Sequence, residues 1–283
     1  LTILLAAFTL VFVIVCITLK PFADYKGTVE VTGNVTTGFA VKAEGDIIVN
    51  GVVEGATLIS GGNIVLKRGM QGMDRGMLQA EGNITAKFLE NCKVRCKGML
   101  KADAILHSDV ECQENVDILG KKGLINGGSL STYADVHATT LGSTMGASTK
   151  IKIISDKELI IRANEIKAEV ENKEETLQKI DEVVNRVKGQ LASNQEVLPE
   201  QMNYLKQATV NKPLLVKQIR ELREEREKLL VRIEKNKHSC IRVEGAVYSG
   251  IDITVKDVSK VQHEQVSHCR FVRDGADVRI VGL

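Results

Sequence analysis

The sequence contains no tryptophan, only 3 prolines and only 4% aromatic residues in a chain of 283. A core with so few rings must be filled by aliphatic side chains, and the 32 valines and 24 isoleucines favour pleated structure. Neither charge sign predominates, because 38 Lys and Arg nearly balance 36 Asp and Glu. Without a basic surplus or base-stacking rings, no nucleic-acid partner is expected. The composition therefore predicts a mainly β protein whose function must lie in local sites.

The usual signatures of catalysis are also missing from the sequence. No glycine-rich phosphate loop follows a predicted strand, and no nucleophile or carboxylate pair accompanies one. The cysteines lack the tight pairs typical of zinc sites, and we interpret them as buried, reduced packing residues of a cytoplasmic protein. They are Cys16, Cys92, Cys96, Cys112, Cys240 and Cys269. The sequence thus predicts no enzyme activity, no metal and no cofactor.

One pattern recurs in residues 24–150, which hold 19 of the 24 glycines. An aliphatic residue is followed by a small residue two positions on, then by a turn-type pair and another aliphatic residue. Helical repeats need about 33 or more residues per unit, and the alternation inside each copy has the period of a strand. The repeat therefore predicts a parallel β-helix. The copies begin at Val41, Leu58, Leu78, Val94, Val110 and Leu130, at spacings of 17, 20, 16, 16 and 20 residues.

The same pattern predicts three details of the β-helix. The small residues are expected to stack in one column, and the glycines of Gly-Asn and Gly-Asp steps are expected to supply left-handed backbone at the corners. The hexapeptide rule of left-handed acyltransferase solenoids is absent, which favours a right-handed coil. The predicted column consists of Ala43, Ser60, Ala80, Cys96, Cys112 and Thr132.

The stretch from Asp156 to His238 has a different composition, with 17 basic and 16 acidic residues and a single glycine. Apolar residues recur in heptads along two seams, which is typical of coiled coils. A break from Ala192 to Pro199 lies between the seams and predicts an antiparallel hairpin, whose second helix Pro213 should kink or divide. The seams are Leu159, Ala163, Ile166, Val170, Lys173, Leu177, Ile180, Val184, Val187 and Leu191, then Leu215, Ile219, Leu222, Arg226, Leu229 and Ile233.

The domain organisation follows from these two patterns. Strand-like alternation with glycine turns returns at Ile241, so the helical stretch is predicted to be an insertion. Residues 1–154 are expected to form the β-helix, residues 155–238 the hairpin, and residues 239–283 a β segment that closes or caps the β-helix. The predicted fold class is mainly β, a right-handed parallel β-helix with an inserted long antiparallel coiled-coil hairpin.

Residues 1–19 are uncharged and allow two interpretations. About 20 apolar residues suffice to cross a bilayer, so a membrane segment is one alternative. Nine of the 19 residues are β-branched and no basic leader precedes them, which favours buried first strands. The chain also begins at Leu1 without a methionine, as a fragment of a longer protein would.

A candidate interaction face emerges when the repeats are stacked by their offsets. Gln71, Asn91 and His107 are then expected in one polar column. Such a column is typical either of a small binding face or of a structural ladder of side-chain amides. The structural ladder is favoured, because no catalytic group accompanies the column. The residues of the candidate face are Lys87, Glu90, Asn91, His107 and Ser108.

Five motifs in this order resemble the bacterial flagellar assembly protein A (FapA) family, long catalogued as a domain of unknown function. They are the runs Gly51–Ala56, Ala86–Val94, Ile105–Ser108, Lys122–Gly128 and Leu141–Gly146. The resemblance extends from about Tyr25 to Leu283 and implies that residues 1–24 contain first strands. It departs from the family where Cys96 and Cys112 replace the usual alanine, and where the further N-terminal domain of family members is absent. It implies a cytoplasmic bacterial protein connected with flagellar assembly or its regulation, with no established catalytic activity.

The leading interpretation is a non-enzymatic scaffold or regulatory protein that acts by protein–protein contact, through the hairpin and the polar face. The first alternative is a self-polymerising cytoskeletal element similar to bactofilins, in which solenoids stack end to end. The second is a membrane-anchored scaffold. The identity of the protein partner and homo-oligomerisation stay open at the level of sequence.

Overall fold

The structure is a computed structural model that describes residues 12–14, 22–193 and 198–283. The chain forms two compact units, one of residues 156–237 and one of the sequence on either side of them. The strands of the β unit, in chain order, are β1 (Phe12–Ile14), β2 (Phe22–Tyr25), β3 (Val29–Val31), β4 (Ala40–Ala43), β5 (Ile47–Val49), β6 (Val52–Glu54), β7 (Thr57–Ser60), β8 (Ile64–Leu66), β9 (Gly69–Ala80), β10 (Ile84–Thr85), β11 (Phe88–Cys96), β12 (Leu100–Ala102), β13 (Ala104–Cys112), β14 (Val116–Ile118), β15 (Leu124–Thr132), β16 (Val136–Ala138), β17 (Thr140–Leu141), β18 (Thr149–Ile153), β19 (Ile241–Val247), β20 (Ile251–Val255), β21 (Val258–Gln262), β22 (Val266–Asp274) and β23 (Asp277–Gly282).

These strands form a parallel β-solenoid of about seven turns, with three parallel ladders along it. Ladder A joins β1, β3, β5, β8, β10, β12, β14, β16 and β19. Ladder B joins β2, β4, β7, the second half of β9, β11, β13 and β15, then β18 and β20. Ladder C joins β6, the first half of β9, β11, β13 and β15, then β17 and the end of β19. From β5 onward each turn therefore contributes a segment to each ladder, and β9, β11, β13 and β15 each run through both ladder C and ladder B.

The register confirms the repeat read from the sequence. The small residues from Ala43 to Thr132 pair directly in ladder B, each with the corresponding residue of the next turn. Their side chains point inward and are buried, next to an aliphatic row that fills the core. In the same column, Ser60 and Thr132 donate to backbone carbonyls, to Gly45 O at 2.7 Å and to Glu114 O at 2.6 Å. The column is thus small because it lies against the backbone of a corner.

The predicted role of the corner glycines is wrong. Gly62 and Gly82 do not adopt left-handed backbone. They allow close approach of neighbouring turns, because a Cβ at Gly82 would lie 2.6 Å from Asn63 Oδ1 and 2.9 Å from Gly62 O. Asn63 Oδ1 accepts the backbone N–H of Asn83 at 2.8 Å, and Asn83 Oδ1 accepts that of Met99 at 2.8 Å. An amide ladder therefore adds to the backbone hydrogen bonds at this corner, such as that from Gly82 N–H to Gly62 O at 2.8 Å, and glycine makes room for it.

At the C-terminal end of the solenoid, the parallel ladders are followed by antiparallel strand pairs. β22 pairs antiparallel with β19, β23 with β22, and β21 with β20. Phe271 and Val278 of this segment are fully buried and belong to the core of the solenoid. The last edges of ladders A and B are thus paired by strands that run in the opposite direction.

The second unit consists of α1 (Lys157–Ala192) and α2 (Pro199–Lys235), and a short 3-10 turn, Asn236–His238, follows α2. Ile166 and Val170 of α1 pack against Ile219 of α2, with further seam leucines around them. The last position of the first seam, Leu191, is exposed. Ion pairs also join the helices, and their positions along the chain show that α1 and α2 run in opposite directions. These pairs are Arg162 with Glu225, Glu174 with Arg223, and Asp181 with Lys212.

Pro213 lies inside α2. Pro213 does not divide the second helix, because α2 continues through it from Pro199 to Lys235. Packing along the seam keeps the helix intact although proline cannot donate to the carbonyl of Thr209.

The interpretation of residues 1–24 as first strands falls mostly outside the described residues. Phe12–Ile14 and Phe22–Tyr25 are described, and they pair in parallel with β3 and β4.

Candidate functional site

The corner between ladders C and B carries two residues of the predicted face, Asn91 and His107. Each comes directly after the last residue of a ladder C segment, Glu90 or Leu106. Each has a left-handed backbone with φ of 47°. The equivalent residue of the next turn is Gly127, with φ of 75°. Asn and His are among the few residues other than glycine that are enriched in this region. The backbone of the corner therefore accounts for these two residue types.

The other polar residue at this corner, Ser108, does not lie on an exposed face. It is 2% exposed, and its hydroxyl donates to Leu106 O at 2.8 Å and accepts the Cys92 N–H at 3.2 Å. Such bonds satisfy buried backbone groups at an irregular point of the ladder. Ser108 is therefore a structural residue of the interior.

Gln71 does not belong to the same column as Asn91. In the register of β9 and β11, Gln71 pairs with Glu90, and a bulge separates Glu90 from Cys92. The predicted column used an offset of 20 residues from Gln71, but the observed offset is 19 there and becomes 16 after the additional residues of that turn. The predicted column is correct only for Asn91 and His107, and the row beside it contains Gln71, Glu90 and Leu106.

Lys87 and Glu90 line a groove of about 400 Å³ on the outer face of ladder C. Phe88 and Ala104 are neighbours in the register and form its floor, with Leu106 beside them. The remaining lining residues are Asp103, Lys121 and Lys122. The groove thus combines an apolar floor with a charged rim. Asn91 and His107 are not part of its lining, so the structure separates the predicted face into two places.

The wall with Lys121 and Lys122 comes from a longer connection in one turn. Between β12 and β13, the single residue Asp103 connects the ladder A strand to the ladder C strand. In the next turn, between β14 and β15, residues 119–123 make the same connection. This loop is held in place on both sides. A Cβ at Gly120 would lie 2.4 Å from Asp103 Oδ1, and the Gly123 carbonyl accepts the N–H groups of Thr139 and Thr140 at 2.9 and 2.8 Å. The wall is therefore preformed.

Sequence reasoning missed Leu106, Lys121 and Lys122 as site residues. The available signal was the spacing of the repeats, because the 20-residue step after Val110 places extra residues in that turn. Lysines in an extra loop next to two short turns are well placed to line a recess between turns. The offsets alone do not say which of the three corners receives the extra residues.

The buried cysteines behave as packing residues in the β unit. Cys96 Sγ donates to Gly82 O at 3.2 Å and Cys112 Sγ to Gly98 O at 3.1 Å, as the hydroxyls of the same column do. Burial raises the pKa of the Cys92 thiol to about 11. The neighbouring Cys96 thiol, and burial, raise the pKa of Cys112. The hydrogen bond with Cys112 lowers the pKa of the Cys96 thiol. Thiols with raised pKa values are poor nucleophiles near neutral pH, which applies to Cys92 and Cys112.

Two features of the described residues concern metal binding and membrane spanning. Within residues 12–14, 22–193 and 198–283, no group of three or more His, Cys, Asp or Glu residues is placed to hold a metal ion. Of the two described α-helices, neither has an apolar stretch long enough to cross a bilayer.

The helical unit exposes large apolar side chains on the side of α2 turned away from α1. Val210 and Leu214 are 72% and 56% exposed, and Val231 is 64% exposed. Val210 and Leu214 are four residues apart, so they are neighbours on one helix face. They lie on the side opposite to Ile219, which is buried against α1. We call Val210 and Leu214 the outer apolar pair.

Comparison with known proteins identifies one family. No curated protein and no solved structure matches the chain. Residues 23–278 match the flagellar assembly protein A β-solenoid domain, which covers both sides of the helical insertion. This match spans most of the chain and agrees with the parallel solenoid and its helical insertion. The chain therefore belongs to the FapA family.

Proposed function

We propose that the protein is a non-enzymatic scaffold that acts by protein–protein contact in flagellar assembly or its regulation. Family membership supports the connection with flagellar assembly. The observation that carries the contact hypothesis is the outer apolar pair, two large apolar residues held in solvent on a helix whose other side is already packed. Exposed apolar residues grouped on one face are typical of contact surfaces.

The helical unit is proposed to be an antiparallel coiled coil that presents this surface. Heptad spacing, opposite chain directions and the interhelical ion pairs support that arrangement. We also propose a right-handed solenoid coil, a cytoplasmic bacterial location, and a closing role for residues 239–283. The antiparallel pairing of β21 and β22 supports the closing role, because it occupies strand edges that end-to-end stacking would need.

Site-specific crosslinking in cells tests the contact surface with the full chain. A photoreactive amino acid is placed at Val210 or Leu214 and, as controls away from this face, at Asn164 or Asn185, which are exposed on α1. We expect adducts with a second polypeptide from the first two positions and few from the controls. Equal adducts from all four positions, or none from Val210 and Leu214, would contradict the proposal.

A further inference from the structure

Three lysines line the groove on ladder C. Some charged rows of the solenoid carry ion pairs between turns, such as Lys42 with Asp24 at 3.0 Å and Arg95 with Glu111 at 3.3 Å. In the part of the chain that the structure describes, no carboxylate lies within 4.0 Å of the amines of the three groove lysines. Three lysines around one recess therefore have positive charge available for a ligand. The groove lysines are Lys87, Lys121 and Lys122.

The two carboxylates of the groove do not cancel this charge. Asp103 is packed under the loop that carries Lys121 and Lys122, because the backbone of Gly120 lies directly against its carboxylate. Glu90 is half-buried beside the floor. Three exposed amines thus face two carboxylates, one of which is largely covered. The rim favours an anionic ligand.

The floor adds an apolar requirement to the anionic one. Phe88 lies over Gly69 of the preceding turn, where a Cβ would come within 2.6 Å of its ring. The small residue Ala104 lies next to Phe88 in the register, and Leu106 follows Ala104 on the same face of β13. Neighbouring strands are about 4.8 Å apart, so the apolar floor extends over only two adjacent strands. The floor therefore fits one apolar side chain of a short extended segment.

We propose that this groove binds an acidic peptide segment of a partner protein, with an apolar side chain on the floor and flanking carboxylates on the groove lysines. The proposal rests on the proposed function, since it names the chemistry of the partner at a second surface. A mineral anion would leave the floor unused, and a nucleic acid would find no stacking ring besides Phe88. An amphipathic acidic peptide uses both features.

Peptide binding to the purified full chain tests the proposal. The probe is a fluorescein-labelled peptide with an Asp-Leu-Asp core, and the comparison probes are a Lys-Leu-Lys peptide and a labelled single-stranded thymidine oligonucleotide. Fluorescence anisotropy should show binding of the acidic peptide that weakens from about 50 to about 300 mM NaCl, because salt screens exposed charges. Equal or tighter binding of the basic peptide or the oligonucleotide would overturn the proposal.

Charge reversal locates the binding on the groove. K87E/K121E/K122E should bind the acidic peptide about tenfold more weakly, because three charges of modest individual strength are reversed. K93E/K150E/K152E makes the same change in net charge at exposed lysines outside the groove lining and should bind as the wild-type chain does. If both triple variants lose binding equally, or neither does, the proposal is wrong.

A measurement on the unmodified chain keeps the test valid if a variant folds poorly. The acidic peptide should slow acetylation of the groove lysines, read by mass spectrometry, and leave Lys93, Lys150 and Lys152 unaffected. Absence of this protection would overturn the groove assignment. The crosslinking from α2 is independent of this result, so failure of the groove and failure of the scaffold hypothesis can be told apart.

Discussion

At the scale of single residues, glycine in this solenoid serves mainly close approach between turns. A Cβ at Gly82 would meet an amide oxygen and a backbone carbonyl that other bonds hold in place. We expect Gly82→Ala to lower the free energy of unfolding by about 1–3 kcal/mol, because a packed site must shift. Gly33→Ala, where nothing lies within 4 Å, should change it by less than about 1 kcal/mol. Urea unfolding of both variants measures the difference, and equal effects would contradict the account.

His107 tests whether backbone conformation explains the predicted polar face. Its φ of 47° is unfavourable for a residue with a Cβ and costs nothing for glycine. His107→Gly should therefore be more stable than His107→Ala by about 1 kcal/mol. The comparison requires only thermal unfolding of the two variants. Greater stability of the alanine variant would show that the side chain at this position matters more than the backbone.

Cys92 gives a prediction for pH. Its thiol has a pKa of about 11 because burial disfavours the thiolate, against 9.0 without burial. The neutral Cys92 thiol therefore contributes to the free energy of unfolding below pH 9, and this contribution is lost as the pH rises through about 11, where the folded chain would have to bury a thiolate. At pH 8 only about one thiol in a thousand is ionised, so iodoacetamide should not modify Cys92 in the native chain. Modification in urea is the control, and rapid native modification read by mass spectrometry would contradict the burial.

At the scale of elements, the two prolines of α2 offer a matched comparison. Pro199 occupies the first helical position, where no donor is needed, and Pro213 lies inside the helix. Pro213→Ala should stabilise the helical unit by about 1–3 kcal/mol, because it restores a backbone hydrogen bond and removes a clash. Pro199→Ala should give no gain. Amide hydrogen exchange along α2 in the full chain measures both, and equal protection in the two variants would be the contrary result.

The elements also show how far the sequence determines the fold. The repeat spacing predicted the stacked column in ladder B, because each copy has the same short strand and the same corner there. The prediction failed at Gln71, because extra residues after it form a bulge that changes the offset between paired residues from 19 to 16. Stacking the repeats by their offsets placed Lys87 and Glu90 in the candidate face. Lys121 and Lys122 were not predicted, because a loop that folds over Asp103 is a tertiary contact between turns.

At the scale of the whole molecule, the strand pairing leads to a prediction about end-to-end stacking of solenoids. A solenoid that polymerises end to end needs free parallel edges. β21 and β22 pair antiparallel with the last parallel strands of ladders B and A. We expect purified full-length protein to show no filaments by negative-stain electron microscopy. Regular filaments would support the bactofilin-like alternative.

The central claim is that the protein acts in flagellar assembly by contact through its outer apolar pair. Motility in soft agar tests it most directly, in a flagellated bacterium that depends on this gene. V210D/L214D should lose motility at normal protein abundance, because charged side chains prevent burial of this surface in a partner. N164D/N185D adds the same charge at exposed polar positions of α1, away from the outer apolar pair, and should remain motile. Full motility of both variants would contradict the claim.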